Sequence, residues 1–302
     1  MGTVLYHRNT TIDKMSLFSL LLIILIVSNR TSFGFIMNDP RTHDKTSFSS
    51  SITSLLQSSI QSDPSATISQ SSLSTTEDQR RNELKQSLIR LCASFDRGFG
   101  STPRIRKEVE ELIRQLETIN PMTSDAARGV DGKNHQEGGG EEDVPLKGAW
   151  RMIWTTALDV LNLGASPTLV PAGIYQVIDP PIATNIIDFT PRAQALLPVG
   201  FPSTVIRAKV QTRASIRDVN RVGLIFESVQ LKPVEVFGFN ADSLPPLKID
   251  LPRVNIQDLP GVNAKTAPGF FDVTYLDRDM LIIKQNAPGG YFVSLKVSNY
   301  DP

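Results

Sequence analysis

The sequence predicts a mostly β protein, an antiparallel barrel or sandwich preceded by two amphipathic helices. From Leu146 onward, short apolar or alternating runs recur between Pro, Gly and Asn-Asp punctuation, with no helical pattern of comparable length among them. Such strands are joined by hairpins, not by βαβ crossovers. One run, STVIRAKVQTRASIRD (203–218), alternates strictly. Ile206, Ala208, Val210, Thr212, Ala214 and Ile216 fall on one face, and Arg207, Lys209, Arg213 and Arg217 on the other, as period two in a strand requires. Ahead of the strands stand two segments with apolar residues at helical spacing.

In chain order, Leu17 to Val27 is apolar apart from Ser19 and follows Arg8 and Lys14. It is shorter than the roughly 20 residues a membrane span needs, and it reads as the core of a signal peptide over 1–32. Residues 33–76 are crowded with Ser and Thr and poor in acids, the composition of a disordered transit segment. A helical preface is expected over 77–121. Its first helix aligns Leu84, Leu88, Leu91, Cys92 and Phe95 behind Thr76 as N-cap; its second aligns Ile105, Val109, Leu112, Ile113 and Leu116 and stops at Pro121. Residues 122–144, rich in Gly and acids, read as a flexible linker with nothing to bury, and His135, Glu137 and Asp131 on it as solvated side chains, not metal ligands. The β domain then runs over 145–302, with strands expected at 147–156, 173–178, 185–189, 204–217, 222–230, 234–239, 247–251, 270–276, 280–284 and 290–297. RDVNR and LDRD read as turns.

Composition narrows the chemistry. Thirty-one basic and thirty-one acidic residues give no global charge bias, so nucleic acid is not an expected partner. Cys92 is the single cysteine, which excludes an intramolecular disulfide. The three histidines are His7, His43 and His135, so the strand-bearing half holds neither His nor Cys. Nucleophile–histidine pairs and histidine metal sites are excluded there; acid–base work by paired carboxylates stays open. Asp277 and Asp279, flanking Arg278, read as turn formers. No cofactor, metal or catalytic residue is expected.

LKGAWRMIWTTA, with Trp150 and Trp154 read on one side of a strand, and GFFDVTYLDRDMLIIKQNAPGGYFV near the other end resemble the plastid lipid-associated protein family, the plastid fibrillins. Leu146, Gly148, Trp150, Met152, Trp154 and Thr155 match the first family block; Tyr275, Leu276, Asp277, Asp279, Ile282, Phe292 and Val293 match the terminal one, where Leu281 replaces the family arginine. The resemblance implies a lipocalin-like barrel at thylakoids or plastid lipid droplets that binds or organises carotenoid, quinone or tocopherol lipids. The signal and hydroxylated segments together resemble the bipartite presequence of algae with secondary plastids, which would deliver the chain to a plastid without residues 1–76.

The candidate lipid-binding residues are Ile206, Ala208, Val210, Thr212, Ala214 and Ile216, with Trp154 and Tyr275. Ala208, Thr212 and Ala214 are small where a filled barrel would carry bulk, and an eight-stranded barrel is just wide enough to be filled or to hold one small ligand. Arg207, Lys209, Arg213 and Arg217 are read either as contacts to anionic headgroups at a thylakoid or plastoglobule surface or as protection of a sheet edge. Two further readings are a scaffold recruiting a partner through its helices and a carboxylate-only enzyme acting on an isoprenoid.

Overall fold

The computed structural model describes residues 70–122, 124–133, 144–251, 269–286, 289–298 and 300. The expected presequence up to residue 69, and His135 and Glu137, lie outside them.

Among the described residues two α-helices, α1 (Gln70–Ser94) and α2 (Pro103–Thr118), precede ten strands. Helix α1 begins at Gln70, not at Glu77, so Thr76 lies inside it and is no N-cap. Residues 70–76 contain neither Gly nor Pro to interrupt a helix already nucleated downstream. Helix α2 has the start signals its sequence promises: Pro103 opens it and the Thr102 side chain accepts from the Ile105 N–H at 3.4 Å.

The strands are β1 (Gly148–Thr155), β2 (Leu169–Asp179), β3 (Ile182–Pro191), β4 (Val205–Asp218), β5 (Arg221–Val236), β6 (Phe239–Asn240), β7 (Leu247–Asp250), β8 (Phe270–Leu276), β9 (Met280–Gln285) and β10 (Gly290–Val297). A short helix, α3 (Leu158–Leu161), and a 3-10 turn (Asn162–Ala165) lie between β1 and β2. Hydrogen bonding runs β1-β2-β3-β4-β5-β8-β9-β10 and returns to β1, a closed eight-stranded antiparallel barrel. Strands β6 and β7 are short additions to β5. Because β4 pairs with β5 along its length and with β3 from Ile206 to Arg213, Arg207, Lys209 and Arg213 stand on no free edge, which removes edge protection as the reason for those three cations. The expected break near Pro233 is absent: β5 runs through it, at a point past the end of the β7 ladder where that side of β5 needs no donor.

The two ends of the barrel differ. At one end Trp150, Ile178, Ala214, Val222, Phe271 and Leu281 form a packed core. Ala126, Ala127 and Val130 seal it, all buried, with Ala127 N–H bonded to Val219 O at 2.9 Å and Ala126 N–H to the Asn220 side chain at 3.1 Å. That corrects the reading of the stretch after Pro121 as having nothing to bury: two alanines and a valine are small enough to plug a barrel end. At the other end α3 and its turn lie over the interior, with Leu163, Phe189 and Ala208 packed together.

Outside, α1 and α2 press Leu88, Cys92, Val109, Ile113 and Leu116 against Trp154, Tyr275, Met280, Ile282 and Val293. Burial pushes the Cys92 thiol up to about 12, so it behaves as a small hydrophobe. Two β-bulges make this contact. In β1 the pairing slips between Met152 (opposite Ser294) and Trp154 (opposite Val293); in β8 it slips between Val273 (opposite Ile283) and Tyr275 (opposite Ile282). Each slip turns an aromatic ring from the lumen to the outer wall. Trp150 and Trp154 therefore do not share a side, nor do Val273 and Tyr275. Asn120, just past α2, satisfies the second bulge: its Nδ2 donates to Thr274 O at 3.2 Å and its Oδ1 accepts from Leu276 N–H at 3.1 Å.

Candidate lipid-binding cavity

Between the packed core and the α3 cover lies a cavity of about 200 Å³. Ala208 and Val210 of β4, Ile187 of β3, Phe226 of β5, Met152 of β1 and Phe292 of β10 give it apolar walls. These side chains come from five strands, each placed by the same in-out alternation that fixes the barrel.

A few polar groups enter the same space. Gln176 and Asn185 face each other across β2 and β3, and Asp159, Gln285 and Ser294 line other parts of the wall. Asp159 Oδ1 accepts from the Val160 N–H at 3.0 Å, and Oδ2 from Gln285 Nε2 at 3.5 Å. Burial raises the Asp159 pKa above its ordinary value, against these hydrogen bonds. Among the described residues Asp159 is the one carboxyl lining the cavity, so a carboxylate pair for acid–base work is not assembled there.

The residues singled out from sequence divide into groups. Ala208 and Val210 line the cavity. Thr212 is fully buried and donates its hydroxyl to Ala183 O at 2.7 Å; Ala214 sits in the sealed core, with Ile216 packed at its margin. Ile206 is half-buried opposite Phe189, outside the cavity lining. Trp154 and Tyr275 are not lumen residues: the bulges put them under the helices. The aromatic and amide lining, Phe226, Phe292, Gln176, Asn185 and Gln285, escaped the sequence reading. The even-numbered alternation of Val222, Leu224 and Phe226 was the available signal.

The outer face of β4 is laced with carboxylates. Arg207 holds Asp188 through Nε at 2.7 Å and Nη2 at 3.1 Å, and Arg213 Nε lies 2.8 Å from Glu227. The Arg217 guanidinium stands 5.7 Å from the centre of the Phe270 ring. Lys209, beside Arg207, shares that outer face and is engaged within the fold.

Asp277 is a turn former and also a latch. Its Oδ1 accepts the N–H of Asp279 and of Met280, each at 2.8 Å. Its Oδ2 accepts from Lys85 Nζ of α1 at 2.7 Å and from the Tyr275 hydroxyl at 2.5 Å. Burial alone would raise the Asp277 carboxyl; Lys85, Tyr275 and the two N–H groups outweigh it and hold the pKa below its ordinary value. Tyr275 is raised by the same burial and the same bond.

A closed eight-stranded antiparallel barrel with an apolar cavity under one end and helices on its wall places the fold in the lipocalin-like β-barrel class. The chain belongs to the PAP_fibrillin family, whose model matches residues 82–294. It is 28% identical over 71% of its length to the probable plastid-lipid-associated protein 3, chloroplastic, of Oryza sativa subsp. japonica, and 26% identical over 59% to plastoglobulin-1, chloroplastic, of Pisum sativum. Those matches span 58% and 42% of the two relatives. A third, the probable plastid-lipid-associated protein 2, chloroplastic, of Arabidopsis thaliana, is 26% identical over 73% of both chains. No solved structure gives a significant match.

Proposed function

We propose that the chain is a non-catalytic plastid protein that binds the ring end of a prenylated quinone or tocopherol at thylakoids or plastid lipid droplets. The observation that carries this is the cavity of about 200 Å³ with its apolar walls and few polar groups. An apolar cavity of about 150 Å³ accepts a benzene ring, whereas pockets enclosing a whole drug-sized molecule run to about 300–1,000 Å³. A substituted ring fits the space, and a complete carotenoid does not. Quinone carbonyls and a chromanol hydroxyl need hydrogen-bond partners inside, and the Gln176 and Asn185 amides can donate or accept there. Family membership and the names of the relatives support the lipid setting.

The scaffold reading has less support, because the apolar faces of α1 and α2 are occupied by the barrel wall. Solvent extraction of the purified full-length protein, with mass spectrometry of what is released, tests the proposal. A prenylquinone or tocopherol at near one per chain is the expected result. Carotenoid at that ratio, or no lipid together with no uptake of added ubiquinone or tocopherol, overturns it.

A further inference from the structure

The structure places an apolar rim at the cavity end. The loop from β3 to β4 reads RAQALLPVGFPS, without a charged residue from Ala193 to Pro202. Leu196 is 87% exposed, and Leu197, Val199 and Phe201 are exposed beside it. The β5–β6 hairpin adds Phe239, 78% exposed, and Phe237. The two loops are tied together: Phe237 N–H donates to Thr204 Oγ1 at 3.1 Å and Gly238 N–H to Ser203 O at 2.8 Å. Arg192 binds the first loop to the α3 cover through Gly164 O at 2.6 Å and Ser166 O at 2.9 Å, and Leu158 of that cover is exposed too. The rim is thus one braced surface around the cavity end.

Two features set it apart from incidental apolar exposure. Phe237 and Gly238 have φ of +49° and +80°, the conformation of a hairpin turn that favours Asn-Gly. A bulky aromatic at positive φ is strained, and here it holds a phenyl ring in water. The opposite end is also the reverse in character: its turns carry Asp218, Arg221, Asp277, Arg278 and Asp279.

We infer that this rim is the surface by which the barrel enters a lipid phase, inserting Leu196, Val199, Phe201, Phe237 and Phe239 among acyl chains so that the cavity end faces the lipid. The occupant is a lipid surface and not a second protein, for three reasons. The apolar groups sit on protruding loop tips, and the charges that flank them are engaged within the fold, Arg192 with Gly164 O and Ser166 O, Glu235 with the Ser203 hydroxyl and Asp242 with Lys232, which leaves little to choose a protein partner by charge. The same end carries the cavity, and a water-insoluble ring lipid can reach it only from an apolar phase. Ordering these tips on a lipid surface matches the shallow insertion of apolar side chains into a headgroup boundary. The inference rests on the ligand reading for its purpose, but its test does not.

The full-length chain has two tryptophans, Trp150 and Trp154, both fully buried, so an added tryptophan reports its own position. Phe239→Trp places a reporter on the rim and Val219→Trp one on the exposed turn at the sealed end. With vesicles of neutral phosphatidylcholine brominated on the acyl chains, insertion to about 5–10 Å should blue-shift the Phe239→Trp emission and quench it by about half or more. Val219→Trp should change little. The neutral lipid removes attraction by charge, and the local reporter removes any contribution from the N-terminal apolar segment. No quenching of Phe239→Trp, or equal quenching at both ends, overturns the inference. A blue shift that grows with protein concentration, without bromolipid quenching, also overturns it and assigns the rim to a second copy. Rim quenching alongside failure to bind any ring lipid leaves the inference standing and removes the ligand reading alone.

Discussion

Replacing Ala208 and Ala214 in turn with leucine distinguishes the two halves of the barrel on one strand. Both alanines point inward and both are almost fully buried. Ala214 is enclosed by the core that includes Trp150, Ile178, Val222 and Phe271, so three further carbons there must displace neighbours, at about 1–3 kcal/mol. Ala208 borders the cavity of about 200 Å³, and the same three carbons can enter unoccupied space. At about 0.8 kcal/mol for each buried methylene, the gain is up to about 2 kcal/mol, less whatever Leu163 and Phe189 must yield. Equilibrium denaturant melts of the two variants should therefore diverge: Ala214→Leu falls, while Ala208→Leu holds or rises. Lipid recovered by solvent extraction should drop for Ala208→Leu and stay with the folded fraction of Ala214→Leu. Equal losses of stability with unchanged lipid would refute the division of the lumen into a filled half and a ligand half.

Lys85→Met removes the cation from the Asp277 latch and should cost about 3 kcal/mol, since it leaves a mostly buried carboxylate without its charge partner. The Asp277 pKa is lowered on folding, so its stabilisation is present above the ordinary carboxylate range near about pH 4 and is lost as pH falls through the lowered value; denaturant midpoints from pH 7 to 3 should show that loss in the parent and a shallower one in the variant. Asn120→Ala should destabilise by about 1–3 kcal/mol by unpairing the Thr274 carbonyl and Leu276 amide at the bulge, readable as a lower thermal midpoint. Arg207→Glu sets two acids side by side at Asp188 and should lower stability with little change in flotation on anionic vesicles. Preserved stability with a salt-sensitive fall in flotation would instead make the outer face of β4 a headgroup contact.

How far the sequence was legible follows from which signals are local. Strict alternation marks β4, and turn chemistry marks RDVNR and LDRD, so the strands and the barrel class could be read directly. Bulges cannot be, because counting by twos passes through Ile153 and Thr274 without registering the slip there, and so places Trp154 and Tyr275 among the candidate lipid-binding residues. The split of β4 into cavity and core depends on the plug at Ala126, Ala127 and Val130, some ninety residues away in sequence, which no local pattern announces. The rim had a readable mark, LLPVGFP and VFGF: apolar residues among the Pro and Gly of loops, where solvent-facing polar residues are the rule.

The contact of α1 with the barrel wall also sets the order in which the molecule can be made. Lys85 and Asp277 are 192 residues apart, and the wall beneath both helices is built from β8, β9 and β10 together with β1. During synthesis from the N-terminus, both apolar helix faces and the unclosed β1 edge wait for the last strands. Contacts of such long sequence separation form slowly, and exposed apolar faces and strand edges are aggregation-prone meanwhile. The barrel cannot close one strand at a time into a stable product, so truncation before β10 should leave an insoluble chain and not a smaller barrel.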